Sequence, residues 1–295
     1  MRKSTYNQLA IFLTTLVAIM TISCEKFALD EEEGAKKEAN GGKEVDEVHA
    51  NVSIHVSKTE CNRMSLAIFD VEDKIATINQ TKDDANFGIV HLNLDDGEYR
   101  LVIIAHNGKG NCSISQPENV KFPNNKLTDT FYYYGRLDVK GGNIKKNIDL
   151  ERAVAAFHVH ILENTIPDTI KVIKFYYTGG SSTLDATTGY GCVNSRQTET
   201  FKISNNSRDF VVFTFPHNVG SVNMDISFLN ADAEIVNYSY DNTLALKINK
   251  TYNWIFSLKD RIHTRSWWQE GIWEESDDNK ETDHDDDFNI EHGEL

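Results

Sequence analysis

Asp283, Asp285, Asp287 and Glu294 stand at positions 1, 3, 5 and 12 of an EF-hand-like calcium loop. Hard carboxylate oxygens suit that ion, but Phe288 occupies the place where such a loop turns sharply on glycine. No helix-period segment flanks the run, so it reads as an acidic tail that attracts cations weakly and without order. His158 and His160 are spaced i, i+2, which puts both imidazoles on one face of a strand. Two imidazoles can begin a transition-metal site. The sequence shows no third ligand, and the pair reads as a wet, polar strand face. His284 and His292 fall in the acidic tail and add nothing to it. The expectation is no metal and no other cofactor. The chain has no G-x-S-x-G, H-E-x-x-H, G-x-x-x-x-G-K or G-x-G-x-x-G. Gly179-Gly180-Ser181-Ser182 lacks the strand-to-helix setting of a phosphate cradle. A non-enzymatic protein is expected.

The cysteines are Cys24, Cys61, Cys112 and Cys192. No two have the C-x-x-C spacing of a zinc or thioredoxin-type site. Cys61 and Cys112 sit in loops beside strands of one half of the chain, and in an oxidising compartment they form a possible disulfide. Cys192 would then be left over. Cys24 closes an export signal. Arg2 and Lys3 precede a 14-residue apolar run, residues 9–22, shorter than the roughly 20 residues a spanning helix needs. Small residues follow, as at a signal-peptide cleavage site. Thr21-Ile22-Ser23-Cys24 resembles a bacterial lipobox, in which the cysteine is acylated and becomes the mature N-terminus. Leucine is commoner where Thr21 stands, and the alternative is an ordinary secretory signal. Acyl chains on Cys24 would hold the protein to a membrane, each buried CH₂ contributing about 0.8 kcal/mol.

The net charge of -15 is unevenly placed. Residues 1–24 carry +2, residues 25–50 carry nine acids against four lysines, and residues 269–295 carry twelve acids against one lysine. Residues 51–268 are therefore near neutral. No basic face exists to recruit nucleic acid. Blocks of like charge read as solvated flanks, and the segment after Cys24 is too poor in apolar residues to bury a core.

Between the flanks the pattern is that of strands. Val52, Ile54 and Val56 alternate with polar residues, as do Val90, Leu92 and Leu94. Residues 99–105 are apolar on both faces apart from Arg100, the mark of a central strand. Residues 106–130 are polar and read as an exposed functional loop or a disordered one. Residues 131–161, FYYYGRLDVKGGNIKKNIDLERAVAAFHVHI, hold three strand-like runs interrupted by a glycine turn and by Glu151-Arg152. That is the expected boundary between two β-domains. In the second, residues 179–200 read as a long small-residue loop and residues 210–215 as a central strand. The alternation of Tyr252, Trp254, Phe256 and Leu258 gives a closing strand. Trp267, Trp268 and Trp273 follow, as a capping segment or a docking segment. The chain after Trp273 is read as acidic and disordered.

The central stretch also resembles the fimbrillin superfamily of Bacteroidales, in particular its FimB-type fimbrial anchor and minor-subunit lipoproteins. The resemblance rests on the aromatic-Tyr-Gly segment at residues 131–135, on Leu150 and Arg152, and on Val154-Ala155, and it covers residues 48–258 loosely. It implies an all-β fold of two tandem transthyretin-like β-sandwich domains with disordered acidic flanks. The expected segments are a lipoprotein signal (1–24), an acidic tether (25–47), an N-terminal sandwich (48–150), a C-terminal sandwich (151–262) and a Trp-containing acidic tail (263–295). Asp30-Glu31-Glu32-Glu33 resembles the surface-export signals of Bacteroidetes lipoproteins and equally suits a soluble spacer. Asp168-Thr169-Ile170 resembles an O-glycosylation acceptor of the same phylum. The function implied is that of an outer-membrane anchor or accessory subunit, tethered through lipid on Cys24. It would join other fimbrial subunits by strand addition, in which backbone hydrogen bonds give strength and side-chain pockets give specificity. The basic residues between Cys24 and the first strand are Lys26, Lys36, Lys37 and Lys43, with no arginine. A stalk subunit of this superfamily is cut after a basic residue there, so the composition favours a retained lipid. The alternatives are a surface glycan-binding lipoprotein of a nutrient-uptake complex, with the three tryptophans as a sugar platform, and a fimbrial tip adhesin.

Overall fold

The computed structural model describes residues 50–258, apart from 58–59 and 205–206, together with residues 274–277. In the first half the strands are β1 (Ala50–Val56), β2 (Arg63–Asp70), β3 (Asp73–Thr81), β4 (Ile89–Leu94), β5 (Gly97–His106), β6 (Ser113–Gln116), β7 (Asn119–Lys121), β8 (Thr130–Val139), β9 (Asn143–Ile148) and β10 (Glu151–Arg152). The second half holds β11 (Ala155–Ile161), β12 (Val172–Gly180), β13 (Thr183–Asp185), β14 (Tyr190–Gly191), β15 (Ser195–Lys202), β16 (Asp209–Thr214), β17 (Val222–Leu229), β18 (Ile235–Leu244), β19 (Lys250–Phe256) and β20 (Glu274–Asp277). The one helical turn is a 3-10 turn at Pro123–Asn125, and no α-helix occurs among the described residues. The protein is all-β, as its alternating pattern requires.

β1 is antiparallel to β4 and parallel to β9, in a sheet ordered β4-β1-β9. A second sheet, β10-β8-β5-β2-β3, faces it. Side chains alternate between the faces of a strand. Val52 and Ile54 of β1 therefore meet Leu66 and Ile68 of β2 and Leu101 and Ile103 of β5 in one core. The second half repeats this arrangement. β11 is antiparallel to β16 and parallel to β19, and the facing sheet runs β15-β12-β17-β18. Strand for strand, β16-β11-β19 matches β4-β1-β9, and β15-β12-β17-β18 matches β3-β2-β5-β8. The second core gathers Phe157 and Val159 from β11 with Phe175, Tyr177, Ile226 and Phe228 from the sheet opposite.

Several expectations from the sequence are corrected. Residues 106–130 are not a free loop: they carry β6 and β7 and bury Ile114, Val120 and Phe122. Residues 179–200 likewise carry β13, β14 and the first part of β15. These two stretches find each other. β7 pairs antiparallel with β13, giving a four-stranded sheet β14-β13-β7-β6 with two strands from each half. Strands of two to four residues leave no readable alternation, and their partners lie far apart along the chain. The apolar run at β16 is an edge strand of its sheet, not a central one. Its inward residues Phe210 and Val212 are buried, whereas Val211 is exposed. The acidic residues 274–277 form β20, antiparallel on β19. The Glu151-Arg152 step between domains is itself the short strand β10, paired with the start of β8. β3 went unread because its side chains are largely exposed on both faces.

A third core explains why β5 is apolar on both sides. Leu101 and Ile103 point into the first sandwich, while Val102 and Ile104 point outward. There, with Ala67 and Phe69 of β2, they are covered by Phe122, Leu184 and Phe215 from the linking sheet and its surroundings.

Candidate functional site

The joint between the sandwiches concentrates the polar and aromatic groups the sequence singled out at its centre. Arg152 is at its heart. Its Nε donates to the Asp129 carboxylate at 2.6 Å, and a terminal nitrogen reaches the Thr251 hydroxyl at 3.5 Å. One guanidinium, about 10 % exposed, thus ties β10 to the residue before β8 and to β19. Arginine suits this position because its fork keeps its charge and donates in several directions at once. Beside it opens a cleft of about 820 Å³, whose lining includes Phe131, Glu151, Arg152, His158, Phe213 and Asn249.

The joint is locked along its length. The Ala186 amide donates to the Pro117 carbonyl at 2.8 Å. Lys126 pairs with Glu199 at 2.5 Å, and the Gln197 amide donates to the Asn125 carbonyl at 3.5 Å. Gly189 has φ of +77° and packs so closely on Tyr132 that a Cβ would strike the phenol ring and its hydroxyl. Three rings cross the joint in series: His106 meets Phe122 edge-on at 5.3 Å, and Phe122 lies 5.4 Å from Phe215. His106 is buried, and its Nδ1 accepts from the Gly108 amide at 3.0 Å. Burial, helped by the nearby Arg63 cation, pushes the imidazole pKa down to about 4.

On the outer face of the second sandwich, His158 and His160 do share a strand face. The register sets His160 opposite Asp209 of β16 and His158 opposite Asn253 of β19. His158 Nδ1 lies 3.0 Å from Asn253 Oδ1, and its Nε2 lies 2.9 Å from Asp209 Oδ1. His160 Nδ1 is 2.7 Å from the same carboxylate oxygen. Partial burial raises the Asp209 pKa, but the hydrogen bonds from His160 and His158 outweigh it and hold the carboxyl below its ordinary value. Asp209 and Asn253 were invisible as partners in the sequence, because only strand pairing brings them alongside. Among the described residues no three histidine, cysteine or carboxylate side chains are pre-arranged to hold a metal ion.

Cys61 and Cys112 are both buried. The Cys112 thiol lies against the Ser65 side chain. Burial raises its pKa to about 11, with the Ser65 hydrogen bond opposing. Cys192 is exposed, its Sγ near the Glu118 carbonyl at 3.5 Å. Cys24, the tether, the three tryptophans, the tail histidines His284 and His292, and the loop of Asp283, Asp285, Asp287 and Glu294 lie outside the described residues.

Two sandwiches of one strand order, joined by a shared four-stranded sheet, make an all-β protein. The family is set by comparison of the sequence. Residues 45–291 match the model of the fimbrillin-A associated anchor proteins Mfa1 and Mfa2, and the chain belongs to that family. It is a family of fimbria-associated structural proteins of the cell surface. Solved structures that align with the chain include a fimbrial assembly protein from Parabacteroides distasonis at 12 % identity, covering 71 % of this chain and 92 % of that one, with a TM-score of 0.42. An adhesin candidate from Bacteroides ovatus aligns at 10 % identity over 79 % of this chain and 92 % of that one, TM-score 0.49. The tip fimbrial protein Mfa3 from Porphyromonas gingivalis aligns at 9 % identity over 70 % and 94 %, TM-score 0.39. No curated protein sequence matches the chain.

Proposed function

We propose that the protein is a lipid-tethered anchor or accessory subunit of a surface fimbria, held to the outer membrane through acylated Cys24 and joined to the polymer by strand addition. The observation that carries this reading is the family match, which spans both sandwiches and their joint. The export signal ending at Cys24, followed by a polar tether, supports membrane attachment. Strand addition draws support from β20. That strand is separated from β19 by residues 257–273, yet it lies on its edge with Lys250 opposite Asp277 and Asn253 opposite Glu274. An extended, polar segment arriving from elsewhere along the chain thus completes an exposed edge through backbone hydrogen bonds. The same physics serves a segment arriving from another subunit. The linking sheet suits the role too, because a subunit that bears tension gains from strands shared between its two sandwiches.

The test is to purify surface filaments from native cells, label them with antibody against this protein, and analyse the lipid on Cys24 by mass spectrometry. Label at filament bases, with Cys24 acylated, is the expected result. Label along shafts or at tips would keep the family and change the role. Absence from every filament preparation would overturn the proposal.

A further inference from the structure

We infer that the cleft beside Arg152 is a binding site for a neutral saccharide, a recognition function separate from any strand contact. The hollow follows from the register. Ala156 of β11 stands opposite Phe213 of β16 on one side and Thr251 of β19 on the other. It belongs to none of the three cores, and its methyl group leaves a dip between two larger neighbours on the outer face of the sheet. Asp129 and β10 wall that dip on the side of the joint, which makes a cleft of about 820 Å³. Small-molecule sites occupy about 300–1,000 Å³.

The lining supplies two kinds of surface. Phe131 and Phe213 each bring a half-buried phenyl ring. A sugar ring carries C–H bonds on its faces, and these pack on the electron-rich face of a phenyl group. The polar groups are rich in acceptors. Arg152 occupies Asp129 Oδ1 at 2.6 Å, which holds the carboxylate in place and leaves Oδ2 to accept from a ligand. Glu151 accepts from the Tyr132 hydroxyl and keeps further capacity, since an ionised carboxylate has about four acceptor sites. Such a set calls for a ligand rich in donors, and the neighbouring hydroxyls of a sugar present O–H groups in pairs. Asp129 and Glu151 outnumber Arg152, so the cleft repels an anion, while Arg152 opposes a cation.

Asn249 adds a strained backbone at the same place. It lines the cleft with φ of +58°, in a region where a residue with a side chain costs energy and where binding sites store strain. Its amide donates to the Val154 carbonyl at 3.0 Å, which fixes the turn. Its carboxamide makes no hydrogen bond among the described residues, and it offers a donor and an acceptor side by side. Groups held in place before the ligand arrives need little ordering on binding.

The experiment is a printed array of neutral, acidic and basic oligosaccharides probed with the full mature chain, followed by isothermal titration with the neutral oligosaccharide that binds best. Asn249→Gly keeps the left-handed backbone and deletes the carboxamide, and binding about 10-fold weaker is expected for the loss of one hydrogen-bonding group. Ala156→Leu fills the floor of the cleft and should abolish binding. Urea unfolding checks that each variant keeps the fold; should Ala156→Leu fail to fold, Asn249→Gly carries the test. Affinity should be the same at low and high salt, because the ligand is uncharged. The inference is overturned if no neutral oligosaccharide binds. It is overturned equally if one binds wild type and Asn249→Gly alike, which would place the sugar elsewhere on the chain, or if only charged oligosaccharides bind, with an affinity that falls as salt rises. The readout needs no filament, so its failure and the failure of the fimbrial reading are told apart.

Discussion

Acid should loosen the joint through one side chain, His106. Its Nδ1 accepts from the Gly108 amide, so the neutral ring carries its hydrogen on Nε2. Protonation on Nδ1 must break that hydrogen bond and bring a charge into a site where the residue is 1 % exposed and Arg63 is near. The folded pKa is about 4 against an ordinary 6.5. Between those values the unfolded chain binds a proton that the folded chain does not, so stability is intact above pH 6.5 and falls as the pH drops toward 4. One pKa unit corresponds to about 1.4 kcal/mol. The full loss is therefore about 3 kcal/mol below pH 4, of which about 2 kcal/mol is already lost at pH 5. The assay is urea unfolding at pH 7.5 and pH 5 for the wild type and for His106→Asn, whose side-chain oxygen can still accept from Gly108. Other titrating groups affect both proteins alike. The wild type should lose about 2 kcal/mol more than the variant on acidification. Equal losses would refute the assignment of a neutral, buried His106 at the joint.

Other consequences can be read with the same instruments. Phe122→Ala removes the middle ring between His106 and Phe215 and should cost about 3–5 kcal/mol. The unfolding curve should split into two transitions as the sandwiches uncouple. Gly189→Ala forces a left-handed backbone on an L-residue and drives a methyl into Tyr132; a loss of about 2 kcal/mol or more is expected in the same urea assay. Val71, a β-branched residue at φ of +51° on the exposed β2–β3 turn, is strained. Val71→Asn should raise stability by about 0.5–1 kcal/mol, since asparagine tolerates that region and the Arg100 hydrogen bond goes only to the Val71 carbonyl. Ellman's reagent at pH 8 should label Cys192 in the native protein and reach Cys112 only on unfolding, because Cys112 is buried with its thiol pKa raised to about 11. Prompt labelling of Cys112 would contradict the packing of the third core.

The alternation of Val52, Ile54 and Val56, of Phe157, Val159 and Ile161, and of Met224, Ile226 and Phe228 was enough to fix the all-β class and most long strands. A period of two with one buried face has few other solutions. The doubly apolar β5 was legible as central, although the reason for its second face was not. That face is covered by β6, β7, β13 and β14, strands too short to carry a pattern, contributed by two polar stretches that no local rule pairs. Edge and centre were likewise beyond the sequence: β16 reads as central from its composition, yet among the described residues it pairs on one side alone, with β11. The histidine pair was visible from its spacing, whereas Asp209 and Asn253 joined it only through register, which is set by pairing across the sheet. Periodicity is a property of consecutive residues, so the chain alone determines which segments are strands and which face is buried. Neighbour, edge and cross-strand partner depend on contacts between segments distant in sequence, and only the tertiary structure decides them.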